Sequence, residues 1–203
     1  MGKVKIKKND VWIDMTPMSD VMVLLLTFFM LTSTFVKDEA VKVNTPGSVS
    51  EIKVPETDVL QILVDNEGRV FLGLDKPASM QAVLQDVAGQ YGLKLNASQE
   101  KTFMSLASFG ANVNEMSDLL SMEQAKINGI QAKKGIPTDS IDGGMSQFQT
   151  WVKAADDAVP DLKISIKADQ KTPYKVVKKV MSELADMDMN RYYLITQLKT
   201  QED

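Results

Sequence analysis

The chain has no cysteine and no histidine among its 203 residues. Without cysteine there can be no disulfide, no thiolate-held zinc or iron–sulfur centre and no thiol nucleophile. Without histidine the commonest general base is missing, and with it the Ser-His-Asp arrangement and His-rich metal sites. The chain is therefore read as a non-enzyme, with no metal site and no bound cofactor expected. A basic excess is lacking too: the net charge is -4, and the chain beyond Val36 is acidic. A polyanion binder needs a basic surface, so nucleic acid is not expected as a partner. Phosphate-cradling glycine loops are also missing, since Gly129, Gly135, Gly143 and Gly144 follow no strand and match no phosphate-binding spacing.

What the chain does have is one long apolar run, Val11 to Val36, reading VWIDMTPMSDVMVLLLTFFMLTSTFV. At 1.5 Å per residue a helix over it would reach roughly 39 Å, enough for a hydrocarbon core of about 30 Å and both interfaces. Lys3, Lys5, Lys7 and Lys8 precede it. Thr32-Ser33-Thr34-Phe35 is a poor cleavage pattern, and the run is too long for a signal peptide, so an uncleaved anchor is expected. The lysines favour a cytoplasmic N-terminus, which places residues 37–203 outside the membrane, in the periplasm of a Gram-negative cell. The expected layout is a basic head over 1–10, a transmembrane helix over 11–36, a linker over 37–57 and a folded domain over 58–203.

Asp20 lies inside the run. A carboxylate in hydrocarbon is costly and usually serves proton or ion transfer, or pairing with a partner helix. At 100° per residue Thr16, Thr27 and Thr34 fall within about 40° of Asp20 on the helix surface. This polar stripe has two readings. The hydroxyls can bond back to their own helix, or the stripe can face a partner helix or a wet path. Pro17 marks the start of the helix or a kink in it, and Thr16 suits a cap.

The run Thr16-Pro17-Met18-Ser19-Asp20-Val21, continued by the Leu-rich and Phe-Met residues to Met30, closely resembles the membrane segment of the ExbD/TolR family. The resemblance implies a subunit of an inner-membrane motor of ExbB–ExbD–TonB type. Such a motor uses protons as the coupling ion and energises transport across the outer membrane. It implies a multispanning ExbB/TolQ-like partner, a periplasm-spanning TonB/TolA-like partner and a homodimer in the lipid bilayer. The family's membrane aspartate falls on Asp20 and its Thr-Pro pair on Thr16 and Pro17. Asp14 stands where many members carry Asn. The TolR branch, serving envelope maintenance, shares these motifs. A membrane-tethered scaffold is the alternative of another class. The MotB/PomB stator family resembles the run less, because Pro precedes the aspartate here and the peptidoglycan-binding domain is missing.

After the run, residues 37–57 have no helical period and contain Pro46, Gly47 and Pro55, so an extended linker with short β-prone pieces is expected. Val41, Val43, Asn44 and Pro46 belong to a stretch resembling the family's post-membrane segment, which the resemblance implicates in binding the energised partner; a plain tether is the alternative. Val59–Asp65 and Arg69–Gly73, separated by Asn66-Glu67-Gly68, read as a hairpin. A helix is expected over Ser79–Tyr91, stopped by Gly92. A strand over Leu162–Ala168, a helix over Pro173–Met187 and a strand over Arg191–Leu198 close the chain. Ile166-Lys167-Ala168-Asp169, with Tyr174, Val177, Val180 and Met181, resembles the family's C-terminal segment, and Asp169 reads as a turn residue. An insertion at about 93–160 shows helical stretches over Gln99–Phe109, Val113–Met122 and Ser146–Ala158. The fold class is thus one transmembrane helix plus an α+β domain, ββα-insertion-βαβ, with helices on one face of a small sheet.

Overall fold

The computed structural model describes residues 14–33, 39–48, 57–139 and 144–198. The chain divides into two compact units, Met1–Val36 and Lys37–Asp203.

The first unit contains one helix, α1 (Thr16–Thr32), 17 residues long. It is shorter than the expected span over 11–36, of which 11–13 and 34–36 lie outside the described residues. Seventeen residues cover about 25 Å, less than the hydrocarbon thickness of about 30 Å. Among the described residues no helix is long and apolar enough to cross a membrane. The helix starts where Asp14 accepts the Thr16 amide at 3.0 Å and also the Thr16 hydroxyl. Pro17 falls in the first turn, where its missing N–H costs nothing. The capping oxygen thus comes from Asp14, and Thr16 is already helical.

The second unit is a mixed α+β domain. After the short β1 (Gly47–Ser48) come β2 (Val59–Val64) and β3 (Val70–Leu74), an antiparallel hairpin with Val64 opposite Val70. Its turn is built by Asp65. One carboxylate oxygen accepts the amides of Glu67 at 3.0 Å and Arg69 at 2.8 Å, and the other takes the Arg69 guanidinium at 2.6 Å. Asp65 is only 2% exposed, so each of these bonds replaces water that burial removed.

Helix α2 (Pro77–Tyr91) follows and ends at Gly92, whose φ is 66°. The insertion comes next as α3 (Ala97–Ser105), α4 (Val113–Leu120), α5 (Gln124–Gln131) and α6 (Gln147–Ala158). The expected Gln99–Phe109 helix stops at Ser105, and α5 falls where a loop was expected. Strand β4 (Lys163–Ala168), α7 (Tyr174–Ala185), β5 (Tyr192–Leu194) and β6 (Gln197–Leu198) complete the order. The single final strand expected over Arg191–Leu198 is in fact two, paired with different neighbours: β5 joins β4, whereas β6 joins β1.

The main sheet has the order β3-β2-β4-β5, with β4 parallel to both β2 and β5. Side chains alternate across it. Leu60, Ile62 and Val64 of β2, Leu72 of β3 and Ile166 of β4 turn to one face and share a core with α2, α6 and α7. There Trp151 stacks on Phe103 and lies 4.6 Å from the ring centre of Phe109. Leu63 and Phe71 turn to the opposite face, where they meet Ala40 and Val43 instead of a helix.

Candidate functional site

Two places carry the residues singled out above, one in each unit. In the first unit Asp20 lies on the exposed surface of α1. Within that unit α1 buries none of its residues, and Leu24, Phe28, Phe29 and Leu31 are all more than half exposed. Among the described residues the Asp20 carboxylate has no hydrogen-bond or ion-pair partner. The Thr16 hydroxyl donates to Asp14. The Thr27 hydroxyl donates back to the carbonyls of Val23 and Leu24, each at 3.0 Å. Both therefore turn their donors to local partners, which leaves only oxygen lone pairs to face outward. Thr34 lies outside the described residues.

In the second unit the segment 39–48 forms a strap across the domain. Glu39 reaches Lys167 at 3.6 Å. The Ala40 amide donates to the Ser108 hydroxyl at 3.0 Å. Val43 is buried on Leu63 and Phe71, and Val41 packs beside them. Asn44 is held on both sides of its backbone: its amide donates to Asp169 Oδ2 at 2.9 Å, and its carbonyl accepts the Gln170 amide at 2.8 Å. Beyond Pro46 the strap becomes β1, parallel to β6.

The register explains why these groups converge. Val64 and Ala168 are partners at the carboxyl ends of the parallel strands β2 and β4. Asp65 and Asp169 are the next residues, so both carboxylates sit in turns at one end of the sheet. The Asp169 amide donates to the Val64 carbonyl at 2.9 Å, and the Thr172 hydroxyl to the Asp65 carbonyl at 2.8 Å. A cavity of about 220 Å³ remains there, bordered by Lys42, Asn44, Asp65, Asp169 and Lys171. The Asp169 carboxyl is held below the ordinary carboxylate value, first by the Lys171 amide and then by the Asn44 amide. Both donors bind the charged form. Asp169 is thus the turn residue its position suggests, and it is also the latch of the strap.

A neighbouring groove of about 320 Å³ lies between β4, α7 and the β5–β6 stretch. Pro46, Tyr174, Val177 and Leu194 line it, and its walls are mostly apolar. Val41, Val43, Asn44 and Pro46 are therefore brought together on the domain, around the end of β4. Phe71, Ser108 and Asp65, which complete the arrangement, were not singled out in the sequence. Asp65, directly before the Asn66-Glu67-Gly68 turn, carried a usable signal; Ser108, in a polar insertion, carried none. Among the described residues no group of three or more acidic side chains could hold a metal ion.

Comparison with known proteins bears on the family. The biopolymer transport protein ExbD/TolR family matches residues 7–199. The protein named biopolymer transport protein exbD2 from Vibrio cholerae serotype O1 is 30% identical over 59 residues, 29% of this chain and 44% of that relative. The chain thus matches less than half of that relative's length. No solved structure matches. With a family match over nearly all of its length, the chain belongs to the ExbD/TolR family.

Proposed function

We propose that this chain is the proton-coupling subunit of an inner-membrane motor of ExbB–ExbD–TonB type, energising transport across the outer membrane. The observation that carries the reading is Asp20, the one ionisable residue of α1. It sits on a helix whose leucine and phenylalanine surface is exposed along its length. Such a surface needs an apolar surrounding, and a carboxylate on it needs a partner or a water path. In this reading the apolar run 11–36 is the chain's membrane segment. The N-terminus is cytoplasmic and the α+β domain periplasmic. An ExbB/TolQ-like protein surrounds the helix, and a second copy pairs with it. Removing a carboxylate from water favours its neutral form, so Asp20 loads a proton facing one side and releases it facing the other.

The domain passes the resulting motion to a TonB/TolA-like protein through the strap and the adjoining groove. No covalent step is involved. A TolR-like output is the second reading, favoured by the fact that the matching family description spans both branches.

The test is Asp20→Asn in the full complex. Import driven by the proton-motive force is expected to fall to the level of a strain lacking the chain, while co-purification with the ring partner persists. Asp20→Glu should restore part of it. Normal import with Asp20→Asn would make the carboxylate an assembly contact and the chain a scaffold. Intact import with a lost envelope barrier on deletion would favour the TolR-like branch.

A further inference from the structure

The helical insertion between α2 and β4 has no role in the motor reading, yet it touches the strap directly. Its loop between α3 and α4 runs along the free edge of β3. Leu72 and Phe109 exchange backbone hydrogen bonds at 2.9 and 2.7 Å, and the Ile136 amide donates to the Val70 carbonyl at 2.8 Å. The approach is close. A Cβ on Gly73 would lie 2.6 Å from the Ala107 carbonyl oxygen, and one on Gly110 would lie 2.1 Å from the Phe71 ring. Only glycine fits either place without displacement. Gly110 is fixed in turn, since its amide donates to the buried Gln131 at 3.2 Å. The loop therefore sets the position of Phe71. Phe71 is the ring against which Ala40 and Val43 are buried, and Ser108 of the same loop accepts the Ala40 amide.

The strap thus has two separate anchors. Its first half is held by the insertion, through Ser108 and the Gly110-backed Phe71. Its second half is held by the turn after β4, through Asp169 and Gln170, and by β6. We propose that the insertion is the seat of the strap's first half, so that the strap leaves the domain in two stages. Tension arriving along the chain from residue 36 reaches Ala40 before Asn44. Ahead of it lies only the part-exposed Glu39–Lys167 ion pair at 3.6 Å, a weak contact, so the insertion contact is the first buried one to bear the load and sets the threshold for release. The inference rests on contacts within the second unit and stands whether or not the motor reading holds.

A chain without cysteine allows a clean test, because one introduced thiol is the only one present. Val43→Cys reports on the first half and Thr45→Cys on the second; the two side chains are 7% and 6% exposed, so thiol reaction with a maleimide requires strap opening. The measurement uses the full chain in lipid nanodiscs. Ser108→Ala is expected to raise the labelling rate at Val43→Cys by roughly tenfold, the effect of losing one buried hydrogen bond, with Thr45→Cys changed by less than about twofold. Asp169→Asn is expected to do the reverse. Ser108→Thr, which keeps the acceptor, should restore slow labelling at Val43→Cys and separates the lost contact from a damaged fold. Equal acceleration of both reporters, or none with Ser108→Ala, would overturn the proposal.

Discussion

The two faces of the central sheet are covered in different ways. One face carries Leu60, Ile62, Val64 and Ile166 into a continuous core with α2, α6 and α7. The other offers Leu63 and Phe71 to Ala40 and Val43 of a single extended segment. Helical cover buries many side chains that no local opening can free one at a time. Strap cover rests on a few contacts, so it can open while the rest of the fold stays closed. The difference suggests a permanent face and a removable one, on opposite sides of the same strands.

The contrast can be broken most strongly at Trp151. Its ring is 1% exposed and packs on Phe103 and Phe109. Trp151→Ala should destabilise the domain by about 3–5 kcal/mol, seen as an earlier midpoint in denaturant unfolding. A smaller effect, and one of another kind, is expected at Val43. Removing two methyl groups there costs about 1.5 kcal/mol of apolar burial. If the faces are independent, Val43→Ala weakens strap docking, measured by amide exchange over 40–46, and leaves the unfolding midpoint of the domain nearly unchanged. A midpoint shift as large as the docking loss would make both faces one cooperative unit.

The smallest expected effect is at the latch. Asp169→Asn keeps an oxygen acceptor but loses the charge that its amide donors favour. About 1 kcal/mol of docking should go with it, read from faster exchange of the Asn44 and Gln170 amides. The pH dependence has a definite sign. The docked carboxyl is held below its ordinary value. Its contribution is complete above the free-carboxyl pKa of about 3.9 and is lost as the pH falls through the lower docked value. Exchange at Asn44 should therefore be insensitive to this group between about pH 5 and 8 and quicken only in acid, and Asp169→Asn should abolish that acid step. A step near neutrality would assign the latch to another group.

Much of the architecture was legible in the chain because it depends on near neighbours. The apolar runs Val59–Asp65 and Arg69–Gly73 on either side of Asn66-Glu67-Gly68 mark the hairpin, and Gly92 ends α2 where its pattern stops. Asp20 in an apolar run is visible without any fold at all. The insertion was less legible. Its α5 carries Gly129 in a largely polar stretch, a pattern that reads as loop, and it is helical because Ile127 is buried in the core. The split of the last strand was hidden as well, because β5 and β6 find different partners only once β1 is in place.

What the sequence by itself determined is the order of the main elements flanking the insertion, the aspartate in the apolar helix and the family the chain belongs to, since each is written in local pattern. Only the tertiary structure decided that the segment after the helix lies on the domain. The contacts responsible join Ala40 to Ser108 and Asn44 to Asp169, 68 and 125 residues apart in the chain. Each pairs a backbone amide, which nearly every residue carries, with a short polar side chain, which many residues carry. No periodicity marks which of them will meet. The register of β2 against β4 and the close approach of Gly110 to Phe71 bring those pairs within bonding distance, and both exist only in the folded chain.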